Sequence, residues 1–364
     1  MIGAWIVRRP VRTLLAAGGA VVLLALPVFG AHSGFSNESW FMPKELEARI
    51  GADLLSRMQA DNASTTVRAL VRTTDGKPVL AEDHRPALDE YLARLEGASR
   101  VAAVASPLTA RGTEADLYLS HDGHAALFEI TPAKGLSMLQ VERLARDLAP
   151  LAPEGPFTAM IGGTPAYYND FSDYMWKSFP KVFGFVILTT LVLLFFAFRS
   201  YILPLKAVIA NLLAIAAGYG VVVAIFQFGW LHGLVGLEKP FFSIPLEVPL
   251  MIFCLSFGLS MDYELFLLFR IRREFILHGD NDRATVEGLA AVGPVITGAG
   301  LIMTVVFGAF VSADLPALKM IGVGLCVAVL VDASVIRAFV VPAFMSIAGR
   351  WNWYPGNRPR TPQS

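Results

Sequence analysis

Asp262 and Tyr263 are the residues whose types and positions point to chemistry. They stand in Phe257-Gly258-Leu259-Ser260-Met261-Asp262-Tyr263-Glu264, inside an otherwise apolar run from Leu246 to Phe269. An Asp at the centre of a membrane helix costs about 2.5–3.5 kcal/mol on insertion scales, so its retention asks for a reason. At 1.5 Å per residue from Leu246, Asp262 lies roughly 24 Å from the outer end of the run. That is past the midpoint and short of Arg270. A desolvated carboxyl there can be tuned to take up and release a proton near neutral pH. The alternative is an Asp that braces a neighbouring helix. Tyr263 points about 100° away on a helix, so it reaches toward another helix or a second such pair.

Other residues are candidates for relay or gating. Glu264 is near enough in sequence to Arg270 and Arg272 to suggest an interfacial charge cluster. Gly293, Thr297, Gly300, Thr304 and Gly308 recur along one helix face, beside the possible kink of Pro294. That face is either ordinary close packing or a surface that turns Thr297 or Thr304 toward Asp262. Asp332 and Arg337 are five apart, about 500° on an α-helix, so they are not expected to pair. Asp332 is the next candidate for coupling, followed by Asn211 and Tyr219. His121-Asp122-Gly123-His124 reads as a turn without a metal. The sequence has no Walker A loop, G-x-S-x-G, H-E-x-x-H or CxxC, which points away from ATP hydrolysis, the corresponding enzymes and a bound cofactor.

The elements that must position these residues are membrane helices. The chain is 55% hydrophobic and 16% charged, against about 25% charged for soluble domains. Apolar spans are expected at Val11–Phe29, Val182–Phe198, Leu203–Gln227, Leu246–Phe269, Leu289–Ser312 and Ala317–Ile347. The first resembles a signal peptide ending at Phe29-Gly30-Ala31 but is long for one, and is read as a span. Cys254 and Cys326 fall within spans as small core residues. The arginines and lysines group before span one (Arg8, Arg9, Arg12), between two and three (Arg199, Lys206), between four and five (Arg270, Arg272, Arg273, Arg283) and after six (Arg350, Arg358, Arg360). The positive-inside rule then places both termini in the cytoplasm and residues 32–178 outside. Asn281 or Asp282 is expected to cap the helix after Gly279, with aromatics at Trp351-Asn352-Trp353-Tyr354 in the interface and a disordered tail from Pro355.

Residues 32–178 alternate as β-α-β-β-α-β: Thr66–Thr73, Arg85–Leu95, Arg100–Ala105, a hairpin of Asp116–Ser120 with Ala125–Thr131, Ser137–Leu148 and Phe157–Ile161. That order is the ferredoxin-like arrangement. The expected fold is therefore a polytopic α-helical membrane protein, with six transmembrane helices and an extracytoplasmic α+β domain between the first two. Its divisions are 1–31, 32–178, 179–348 and 349–364.

The stretches FGLSMDYELFLLFRIRREF, GDNDRATVEGLAAVGPVITGAGLIMTVVFGAF and LKMIGVGLCVAVLVDASVIRAFVVPAFMSIAGRWNWY resemble the second six-span half of MMPL transporters, of the resistance-nodulation-division superfamily. The resemblance implies a porter role for the outer domain and proton-driven export of a lipid or other hydrophobic molecule across a bacterial cytoplasmic membrane. It also implies an Asp-Tyr proton relay at Asp262 and Tyr263. Family members place two such pairs face to face, so a second half, from this chain's own copy or a separate chain, is the expected partner. The alternatives are a non-transporting scaffold or lipid sensor, or an inactive truncated half.

Overall fold

The computed structural model describes residues 2–34, 46–57, 65–237, 239–241 and 243–356. Arg358 and Arg360 lie outside them. The chain divides into two units, Met1–Ser33 with Ser178–Ser364, and Gly34–Lys177.

Among the described residues, the second unit holds α3 (Glu47–Arg57) and an antiparallel four-stranded sheet in the order β2-β3-β1-β4. Its strands are β1 (Val67–Thr73), β2 (Val101–Ala105), β3 (Ala125–Pro132) and β4 (Phe157–Gly162). Alternation in β1 sends Val67, Ala69, Val71 and Thr73 inward and the arginines between them out, as the two-residue period of a half-buried strand requires. α4 (Arg85–Glu96) buries Leu88, Tyr91 and Leu95, and α5 (Met138–Leu148) buries Val141, Leu144 and Leu148. The Gln140 side chain accepts from the Ser137 amide at 2.8 Å, closing the expected capping box. Gly112–Tyr118, which reaches into the expected first hairpin strand, is a 3-10 helix. The turn itself survives. Asp122 Oδ1 accepts from the His124 amide, and His124 Nδ1 lies 3.0 Å from the Lys77 carbonyl.

The first unit holds the apolar helices. After α1 (Ile2–Arg8), six candidate spans cover Pro10–Gly30, Thr164–Phe198, Ile202–Gln227, Glu247–His278, Asn281–Ser312 and Pro316–Trp353. They contain α2 (Pro10–Ala25), α6 (Thr164–Phe198), α7 (Ile202–Val222), α8 (Glu247–His278) and α9 (Asn281–Ala309). The last is composite: α10 (Pro316–Val331), a π-helical stretch Asp332–Val340, and α11 (Val341–Ala348). Glycines set the closest crossings. A Cβ at Gly218 would stand 2.5 Å from the Gly324 carbonyl oxygen, and one at Gly220 2.2 Å from that of Leu24. These contacts lock α7 against α10 and α2, the close backbone approach that small residues permit between membrane helices.

Several expectations need correction. α6 is continuous from Thr164, so the second span's helix begins inside the sheet-bearing unit. The charged loop 270–288 is nearly all helix. α8 ends at His278 and is capped by Gly279, whose φ of +69° suits a residue without Cβ, and α9 starts at Asn281. The cap is Asp280, whose Oδ1 accepts from the amides of Asp282 and Arg283. Trp353 is no interfacial anchor. It is buried, stacks on Phe275 and donates to Asn281 Oδ1 at 3.0 Å, while Trp351 and Tyr354 are exposed. Gly356 also bonds back to the Arg199 carbonyl, so the last described residues are tied to the bundle. Cys254 is exposed on the unit's surface and is no core residue.

Candidate functional site

α8 carries two opposed faces. Leu255, Gly258, Asp262, Phe266 and Phe269 form an exposed stripe at intervals of three and four. Ser256, Ser260 and Glu264, each one turn from the next, form a buried polar stripe. Asp262 stands two positions from both Ser260 and Glu264, a rotation of about 200°, so its carboxyl is on the opposite side of the helix. Asp262 makes no hydrogen bond or ion pair among the described residues. A Cβ on Gly258, one turn before it, would meet nothing within 4 Å.

The buried stripe is occupied by charge. Lys206 Nζ of α7 lies 2.8 Å from Glu264 Oε1, with both side chains 4% exposed. This replaces two expectations: Lys206 is not a loop cation, and Glu264 does not join an interfacial cluster. Arg270 pairs instead with Glu274 at 3.0 Å, and Arg272 donates to the Ala197 carbonyl at 2.8 Å. The Lys206 ammonium is the signal that sequence reasoning passed over, a cation four residues inside an apolar helix.

Asp332 and Arg337 also overturn the expectation that they cannot pair. Arg337 Nη2 donates to Asp332 Oδ2 at 2.8 Å and to the Ser260 carbonyl at 2.6 Å. Ser260 Oγ donates to the same carboxylate oxygen at 2.7 Å. The reason is the π-helical winding of Asp332–Val340, which brings residues five apart into register where an α-helix would not. The Arg337 guanidinium carbon lies 5.1 Å from the centre of the Tyr263 ring, within cation–π range. One ring thus joins the residue beside Asp262 to a buried ion pair.

The threonine candidates separate. Thr304 spends its hydroxyl on the Gly300 carbonyl of its own helix at 2.7 Å, whereas Thr297 is exposed. A Cβ at Gly300 would meet Ala333 at 2.6 Å, so that part of the small-residue face packs on the sixth span. Gly293 has open space around it. The Asn211 Nδ2, the Ser256 Oγ and the Tyr219 hydroxyl are buried without a hydrogen-bond partner among the described residues.

Six apolar helices with a partly paired charge core and a small antiparallel sheet define a polytopic helical membrane protein. The chain belongs to the MMPL family, whose family model matches residues 42–363. It is 31% identical over 349 residues to the mycolic acid-containing lipids exporter MmpL11 of Mycolicibacterium smegmatis, covering 96% of this chain and 36% of that protein. It is 34% identical over 350 residues to a Mycobacterium tuberculosis protein named heme uptake protein MmpL11, covering 96% and 35%. Against the trehalose monomycolate exporter MmpL3 of M. tuberculosis, identity is 36% over 214 residues, covering 57% and 22%. The chain thus spans about a third of the length of its MmpL11 relatives.

Proposed function

We propose that this chain supplies a six-helix half of a proton-driven exporter of lipids or similar large amphiphiles in the bacterial cytoplasmic membrane. Asp262 and Tyr263 serve as its share of the proton relay. The observation that carries this reading is Asp262 itself: an ionisable group midway along an apolar helix, exposed on the unit's outside and unpartnered, while Glu264, Asp332, Arg337 and Lys206 are buried and paired. Against lipid that exposure would cost about 2.5–3.5 kcal/mol. A second six-helix unit covering the Leu255–Phe269 stripe removes the cost and brings a facing carboxyl within reach. That unit can belong to another chain or to more of the same one.

The lipid cargo is suggested by the names of the MmpL3 and MmpL11 relatives. The arginines toward the C-terminal end of α8, at Arg270, Arg272 and Arg273, support cytoplasmic termini and an external sheet unit. The β2-β3-β1-β4 order, with β1-α4-β2 and β3-α5-β4 crossings, supports a ferredoxin-like porter domain spanning roughly residues 32–178. Chemistry other than transport has no support in the sequence motifs.

The test is Asp262→Asn in inverted membrane vesicles with an imposed proton gradient. Gradient-dependent translocation of extractable lipid is lost, while membrane insertion and the melting temperature stay at wild-type values. Translocation at the wild-type rate in the variant overturns the reading.

A further inference from the structure

We propose that Arg337, held by Asp332 across the π-helical turn, is a positioning residue: it grips α8 at Ser260 and Tyr263 and so keeps Asp262 on the outward face. The mechanistic meaning of this grip rests on Asp262 being the proton site.

Helices in a bilayer have no hydrophobic force to fix their rotation, since lipid tails are as apolar as the side chains they touch. A leucine seam can slip by a fraction of a turn with little penalty. A hydrogen-bonded charge cannot. Here one carboxylate oxygen, Asp332 Oδ2, takes donors from Ser260 Oγ, Arg337 Nη2 and Arg337 Nε, at 2.7, 2.8 and 3.2 Å. Arg337, 1% exposed, adds the bond to the Ser260 carbonyl and the contact on the Tyr263 ring. The sixth span therefore holds α8 at a side-chain hydroxyl, a backbone oxygen and an aromatic face, all within four residues. Turning α8 enough to bring Asp262 inward would break all three.

The π-helix is part of the device. In regular α geometry Asp332 and Arg337 would diverge by about 140° and leave two unpaired charges in the bundle. The nine-residue stretch of wider winding aligns them. Only an arginine fits the geometry, because the planar fork bonds the carboxylate and the carbonyl together while its face lies on the ring. A lysine carries the charge without the fork.

Two variants of the full chain, purified in detergent, test this. Asp332→Leu with Arg337→Met removes both charges at similar volume, a change that buried pairs often tolerate. Arg337→Lys keeps the ion pair and loses the fork. The first readout is the pH profile of Asp262 modification by dicyclohexylcarbodiimide, mapped by mass spectrometry. The second is the rate at which native Cys254, exposed on α8, reacts with N-ethylmaleimide in a Cys326→Ala background. Both variants are expected to shift the carbodiimide midpoint by about one pH unit or more and to change the Cys254 rate. A wild-type midpoint and rate in Arg337→Lys overturn the role of the fork, and the same result in the double variant overturns the proposal. If Asp262 never titrates in the wild-type chain, the proton-site reading falls, and the Cys254 rate alone still decides whether the pair orients α8.

Discussion

Lys206→Met should destabilise the bundle by about 3–5 kcal/mol, the range for stripping one partner from a buried ion pair. Lys206 Nζ and Glu264 Oε1 lie 2.8 Å apart, and each side chain is 4% exposed. At an effective dielectric of 20 their attraction is about 6 kcal/mol. Desolvation of two ions costs several kcal/mol each, so the intact pair contributes little net stability. Removal of one partner leaves the other charge buried without return. The two single variants should not be equal. Glu264 also feels the Arg337 guanidinium, whereas Lys206 has no second anion among its described contacts. Glu264→Leu, which strands the lysine, is therefore expected to be the more damaging. The double variant Lys206→Met with Glu264→Leu should return to within about 1 kcal/mol of wild type. Equilibrium unfolding of the purified chain, as a double-mutant cycle, measures all three. A double variant as unstable as the sum of the singles would show that the two groups do not interact and would refute the reasoning.

Gly220→Ala places a methyl 2.2 Å from the Leu24 carbonyl oxygen, so it should cost about 1–3 kcal/mol by overpacking. Gly184→Ala on α6 meets nothing within 4 Å and should stay within about 0.5 kcal/mol in the same unfolding assay. In the sheet-bearing unit, burial pushes the Glu142 carboxyl from near 4.5 up to about 7, opposed by Arg146, and its Oε1 has no partner. A carboxyl raised in the folded state binds more protons there than when unfolded, so the stability of this unit should fall as pH rises from about 4.5 to about 7 and level off above. Glu142→Gln should remove that dependence. Hydrogen-exchange stability of α5, compared between the two proteins at each pH, checks it.

The spans were legible because twenty-residue apolar runs have few other meanings, and the strands of the sheet because alternation and turn residues agree from Val67 to Gly162. Asp262 was legible for the same reason that Lys206 was not. The Asp interrupts the middle of a run, whereas the lysine lies near an end where a cation ordinarily belongs to the loop. The Asp332–Arg337 pair was hidden by an assumption about winding, since 100° per residue is a property of the α-helix alone and no residue pattern announced the π stretch. The 3-10 helix at Gly112–Tyr118 was missed because a short run of mixed residues fits a strand equally well by period.

These misses share a cause, and it bears on how α8 works. Sequence patterns report what each residue prefers, but the two faces of α8 are defined by what the neighbouring helices bring to it. Ser260 and Glu264 look like scattered polar residues until α7 supplies an ammonium and the sixth span supplies a guanidinium with its counterion. With Glu264 on that face paired by the unit's own charges, Asp262 is the carboxyl in the middle of α8 left without a partner among the described residues. Asp262 is thereby separated from the internal network by half a helix turn and is left to answer to whatever covers the outer stripe.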